Sequence, residues 1–167
     1  MNELLNKYPD EVRRILAKYP AEFKRSAVMP LLYLAQRETG RVSQERMADI
    51  AEITETSVTE VASVAGFYTL FHEEPGGRYR IQVCTDLPCA LRGSEEFLRQ
   101  VCDFLGIKPG ETSPDGLFTL EEVKCLAACH RAPMFQLQGD GEIQYHENQT
   151  LDTFKEIVDG LRKSASN

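Results

Sequence analysis

No apolar run in this chain approaches the about 20 residues that a membrane-spanning helix requires, so direct membrane insertion is not expected. Lys and Arg form no stripe interleaved with aromatics, and 19 of them stand against 26 Asp and Glu for a net charge of −7. That balance argues against nucleic acid as a partner. Gly-x-Gly-x-x-Gly and the P-loop are both missing, which leaves a nucleotide site within the chain unsupported. The three histidines share no ligand or catalytic spacing with the acidic residues. Cys-x-x-Cys is missing as well, which removes the thiol–disulfide chemistry of a redox thioredoxin. The start, Met1 to Asp10, has neither a basic n-region nor an apolar h-region, and the expectation is a cytoplasmic protein. No internal repeat or low-complexity segment occurs.

Against those absences stand five cysteines, four of them in two pairs, Cys84-x4-Cys89 and Cys125-x3-Cys129. Arg78–Cys84 alternates, with Tyr79, Ile81 and Val83 on one face, and reads as a strand ending at Cys84. From Ser94 to Leu105 the positions Phe97, Leu98, Val101, Cys102 and Leu105 recur at helical spacing. Leu117 to Val123 reads as a second strand, which stops two residues before Cys125. A strand–helix–strand unit sets its strands parallel, so their carboxyl ends share one edge of the sheet. Both cysteine pairs are therefore expected at that edge, as a metal site.

Four thiolates suit zinc or an iron–sulfur cluster. Structural zinc favours tighter Cys-x2-Cys knuckles, whereas a [2Fe–2S] cluster takes two thiolates per iron and accepts wider pairs. The spacing favours [2Fe–2S], with a zinc-stabilised interaction module as the alternative. Pro88, Cys89 and Ala90 precede the helix, whose first-turn amides are expected to face the site. Arg92 either adds to that positive field or is an ordinary solvated side chain. His130, beside Cys129, invites a Rieske reading, but that requires two histidines in place of two cysteines. It is expected near the site or at the surface, and the spare Cys102 in the core.

Two domains are expected. Residues 1–72 carry only helical patterns: a stripe of Val12, Ile15, Leu16 and Tyr19, then a helix over 21–38 with a kink or break at Pro30 and Gly40 at its end. Ser43 is expected to cap a helix to Ile53. Ser57-Val-Thr-Glu60 forms a capping box opening a helix with Val58, Val61, Ala65 and Tyr68. Phe67 and Tyr68 are expected as packing. The breaker Glu73-Glu-Pro-Gly-Gly77 marks the boundary. Residues 78–162 form the second domain, with a hairpin around Gly139-Asp-Gly141, a closing helix from Leu151 to Leu161, and 163–167 as a frayed tail.

Cys84-Thr-Asp-Leu-Pro-Cys89-Ala-Leu-Arg-Gly-Ser resembles the first cluster motif of the small [2Fe–2S] subunit of respiratory NADH:quinone oxidoreductase, complex I. Further matches are Gly66-Phe-Tyr-Thr-Leu-Phe71, Gly106-Ile-Lys-Pro-Gly-Glu111, Ser113-Pro-Asp-Gly-Leu-Phe118, and Cys125-Leu-Ala-Ala-Cys129 followed by Ala132-Pro133. One departure is Ala127, where the family's second motif has glycine. A β-carbon is tolerable there at negative φ and strained at positive φ.

The resemblance implies an α/β fold: a thioredoxin-like ferredoxin core with a mixed sheet, preceded by an N-terminal helical bundle. It implies Cys84, Cys89, Cys125 and Cys129 as ligands of one [2Fe–2S] cluster, with no catalytic residue in this chain alone. FMN and NADH would belong to a partner, the FMN/NADH-binding subunit of the complex, next to a neighbouring iron–sulfur subunit. The complex would hold the chain at the inner face of the cell membrane. Related subunits serve NAD-linked formate dehydrogenases and hydrogenases, and one sequence does not separate these assemblies.

Overall fold

A computed structural model describes residues 2–165. The chain divides into two compact units, residues 1–75 and 76–167.

The first unit is helical: α1 (Glu3–Lys7), α2 (Pro9–Leu16), a 3-10 segment (Ala21–Ala27), α3 (Val28–Thr39), α4 (Gln44–Thr54) and α5 (Val58–Phe67). Its ends follow the side chains available to cap them. The Asn2 carboxamide oxygen accepts from Leu5 N–H at 3.0 Å, and the Ser43 hydroxyl accepts from Arg46 N–H. Ser57 and Glu60 form the reciprocal capping box that their spacing predicts. Gly40 closes α3 at φ 72°, a left-handed conformation open to glycine. The helix expected over 21–38 is instead two elements. Phe23 leaves helical geometry, with φ −117° and ψ 34°, and α3 starts afresh at Val28. Pro30 lies in the first turn of α3, where its missing N–H removes no helical hydrogen bond.

Leu4, Val12, Leu31, Leu32, Met47, Ile50 and Val61 make the buried core of this unit. Val58, Tyr68 and above all Phe67 are not part of it: Phe67 is 78% exposed. The sequence reading of the two aromatics as packing is thus corrected. Phe67 is the last residue of α5, and its ring meets the Tyr68 ring edge-on at 5.0 Å.

The second unit runs β1 (Tyr79–Cys84), α6 (Leu87–Ala90), α7 (Ser94–Leu105), β2 (Phe118–Val123), a 3-10 turn (Cys129–Arg131), β3 (Phe135–Gly139), β4 (Glu142–His146) and α8 (Leu151–Ala165). The sheet order is β2-β1-β3-β4. β1 pairs parallel with β2 and antiparallel with β3, and β3 pairs antiparallel with β4. Asp140 and Gly141, at φ 51° and 80°, make the two-residue turn joining β3 and β4, the conformation that suits the twist of a hairpin. The closing helix continues through Ala165, so 163–165, expected as frayed tail, are helical; the tail's Ser166 and Asn167 lie outside the described residues.

Alternation along the strands separates two environments. Ile81, Val83, Phe118, Leu120, Phe135 and Leu137 join Phe97, Val101 and Leu105 of α7 and Phe154 and Val158 of α8 in one core. The intervening positions carry a polar network. Arg80 pairs with Glu121 at 2.6 Å, Gln82 donates to Glu121 at 2.7 Å, and Gln138 donates to Gln82 at 3.0 Å.

Candidate metal centre

Cys84 is the last residue of β1 and stands opposite Val123, the last residue of β2, in the parallel register. From that rung the two cysteine loops leave the same edge of the sheet, as the strand–helix–strand reading requires. The first loop carries Cys89 inside the short helix α6, whose N-terminus is capped by Asp86. The second loop carries Cys125 and Cys129. Its tight path uses two left-handed residues, Cys125 at φ 57° and Ala127 at φ 59°. The motif's departure from glycine therefore falls at a positive φ, where an L side chain costs conformational energy.

Cys84 and Cys89 are buried together with Ala128, Ala132 and Met134, and Leu126 and Cys129 pack against them. Cys125 is exposed, and it reaches the site through its backbone. Burial pushes the Cys84 thiol up, but amide N–H groups of Asp86, Leu126 and Cys125 together with the Cys89 thiol outweigh it and hold Cys84 below the usual thiol range. Cys89 moves the other way, to about 12, through burial, the Cys84 thiol and the Cys129 thiol. The surroundings of Cys84 favour its thiolate, whereas burial and two neighbouring thiols favour the protonated form of Cys89. The amides at Cys84 come from the loops themselves. The first turn of α7, which the sequence reading assigned this task, begins at Ser94 beyond α6.

The structure thus brings together Cys84, Cys89 and Cys129 side chain to side chain, and Cys125 by its main chain. A tetrahedral zinc site sets every ligand sulfur about 2.3 Å from one centre, whereas a binuclear cluster takes its thiolates in pairs on two irons. Soft donors in an apolar, amide-lined pocket fit the anionic cluster, which they would hold as thiolates.

The remaining residues sort clearly. His130 is exposed and accepts from Arg131 Nε at 3.3 Å. Cys102 packs against the core of α7, apart from the other thiols, and burial raises it. Arg92 donates through Nε to the Ala132 carbonyl at 3.2 Å, joining the two loops. Sequence reasoning missed Thr85, Glu122 and Lys124. The Thr85 hydroxyl donates to Glu122 at 2.5 Å and accepts from Lys124 at 2.8 Å, and Lys124 meets Glu122 at 2.6 Å. Their adjacency to the cysteines was the available signal.

The chain resembles known proteins over most of its length. It is 42% identical over 153 residues to NADH-quinone oxidoreductase subunit 2 of Thermus thermophilus, covering 92% of this chain and 83% of that protein. An NADH-quinone oxidoreductase subunit of Rhizobium meliloti is 40% identical, with 92% and 88% covered. A crystal structure of NAD+-reducing [NiFe]-hydrogenase in the air-oxidized state superposes with a TM-score of 0.65 over 80% of this chain and 23% of that one. At 17% identity it speaks for the fold. The profile of the thioredoxin-like [2Fe–2S] ferredoxins matches residues 12–162, spanning both units. With its core of mixed sheet and helices and its cysteines at one sheet edge, the chain belongs to the thioredoxin-like [2Fe–2S] ferredoxin family.

Proposed function

We propose that this protein is the electron-transfer subunit of an NADH:quinone oxidoreductase of the complex I type, holding one [2Fe–2S] cluster on Cys84, Cys89, Cys125 and Cys129. The observation that carries the reading is the meeting of the Cys84, Cys89 and Cys129 thiols, with the Cys125 main chain, beyond the paired ends of β1 and β2. The cluster supplies reversible one-electron chemistry. The chain's own part is to hold four soft donors, to direct amide N–H groups at sulfur, and to surround them with Ala128, Ala132 and Met134.

The electron would come from the flavin of an NADH-oxidising partner, the FMN/NADH-binding subunit, with a further iron–sulfur subunit nearby. One feature supports docking on the cluster side. Leu87, the first residue of α6, and Leu91, just past its end, are 70% and 81% exposed and leave an apolar rim beside Cys89. No helix among the described residues is long and apolar enough to cross a membrane, which accords with attachment to the inner face of the membrane through other subunits. Two relatives at about 40% identity carry the NADH-quinone oxidoreductase name, which favours this assembly over the hydrogenase branch.

Anaerobic purification followed by iron and sulfide analysis, with optical and EPR spectra before and after dithionite, tests the reading. Two irons per chain, bleaching on reduction and a rhombic one-electron signal are expected. A colourless zinc protein that iron and sulfide do not reconstitute sinks it. Co-purification with an FMN-containing subunit then tests the assignment to the complex.

A further inference from the structure

The two cysteine loops are joined at both ends by contacts outside the sheet ladder. Downstream, Arg92 Nε, three residues past Cys89, reaches the carbonyl of Ala132, three residues past Cys129. Upstream, the residue after Cys84 meets the residue before Cys125. The buried Thr85 hydroxyl donates to Glu122 and accepts from Lys124, and Lys124 also donates to Glu122, so three side chains close a ring. The ring continues the pairing of β1 and β2 one step beyond its last rung, where Thr85 N–H still reaches the Val123 carbonyl at 3.1 Å.

We propose that Lys124 and Glu122, locked together through Thr85, are positioning residues for the cluster, bracing its two loops and biasing its reduction potential with opposed charges. The proposal rests on the [2Fe–2S] reading above. One-electron reduction adds a single negative charge to the site and breaks no bond to the protein. A cation held beside Cys84 favours the reduced state, and an anion in the same place disfavours it. The ring fixes where both charges sit relative to Cys84. Side-chain exposure of 65% for Lys124 and 40% for Glu122 leaves these fields partly screened, so their effect weakens with added salt.

Redox titration followed by EPR on the purified, iron-loaded protein separates this role from simple loop support. Lys124→Met removes the cation and lowers the midpoint potential, and Glu122→Gln removes the anion and raises it. Lys124→Arg returns the potential toward wild type. Both shifts shrink as salt is raised. Thr85→Val, which cuts the ring while keeping both charges, hastens iron loss to a chelator by about two- to five-fold, the scale of one partly exposed charged contact. Shifts of one sign for Lys124→Met and Glu122→Gln, no shift in either, or no restoration by Lys124→Arg overturn the proposal. Wild-type protein that takes up no iron overturns the cluster reading and this proposal with it. Iron-loaded wild type with unshifted variants overturns this proposal alone.

Discussion

Cys84 and Cys89 are buried in one cluster, and their thiols are pushed in opposite directions, Cys84 below the usual thiol range and Cys89 up to about 12. They stand apart in sequence, yet the turn from β1 into α6 returns the second sulfur to the first. Both would have to be thiolates to ligate a metal.

Alanine at Cys84, Cys89, Cys125 or Cys129 is therefore expected to abolish the cluster or strip most of its iron. Cys102→Ala should leave the spectrum unchanged, since Cys102 packs against the core of α7. His130→Ala should also retain the cluster, because His130 is exposed and meets Arg131. Iron content and visible absorbance of these variants decide this. Bleaching by Cys102→Ala, with colour kept in Cys129→Ala, would refute the ligand set.

Much of this arrangement was legible in the sequence because it follows from periodicity and topology. Alternation over 78–84 and over 117–123, with a helical stripe between, is enough to place two loops at one sheet edge. Ser57 with Glu60 announces its capping box in the same local way. The failures are tertiary. Phe67 and Tyr68 read as packing from their place on an apolar helix, but α5 ends at Phe67 and the Phe67 ring is exposed. Pro30 looked like a break inside a long helix, whereas the chain had already broken upstream and Pro30 opens the next one. The Thr85–Glu122–Lys124 ring joins the residue after β1 to the end of β2 and the residue that follows it, and no single-segment pattern encodes such a pairing.

Ala127 is one of the positions where the chain carries a conformational cost, and the effect is measurable. At φ 59° its β-carbon sits in the left-handed region, which costs an L-residue roughly 1–2 kcal/mol. Glycine relieves that strain and gives back part of it through the greater freedom of the unfolded chain. Ala127→Gly is expected to stabilise the protein by about 0.5–1 kcal/mol, read as a higher denaturant midpoint at unchanged slope. A lower midpoint would mean that the Ala127 methyl makes a contact worth more than the strain.

Phe154 ties α8 to α7 and to the sheet through three edge-on aromatic contacts, with Phe97 at 5.9 Å and Phe104 at 6.1 Å on α7 and Phe135 at 5.3 Å on β3. It is fully buried. Phe154→Ala removes a large apolar side chain and leaves a cavity, with an expected loss of about 3–5 kcal/mol. Urea unfolding followed by circular dichroism measures it. A loss below about 1 kcal/mol would mean that the surrounding rings collapse into the space.

His146 gives the fold a dependence on pH. Its ring stacks on Phe135 at 4.7 Å with an interplanar angle of 20°, and its Nε2 is buried without a partner among the described residues. Burial holds its pKa below the ordinary histidine value. In the unfolded chain the ring takes up a proton near about pH 6.5, while the folded state resists until the pH is lower. The unfolded state thus binds more protons in that window, and stability falls as pH drops through it, by at most about 1.4 kcal/mol per pH unit for one proton. Above the unfolded pKa the contribution is fully present. The ion-paired carboxylates Asp140 and Glu122, both held below their usual range, add their own losses at more acidic pH. Denaturant midpoints measured between about pH 7.5 and pH 5.5 should decline for the wild type and stay flatter for His146→Phe. Equal slopes in the two proteins would assign the decline to groups other than His146.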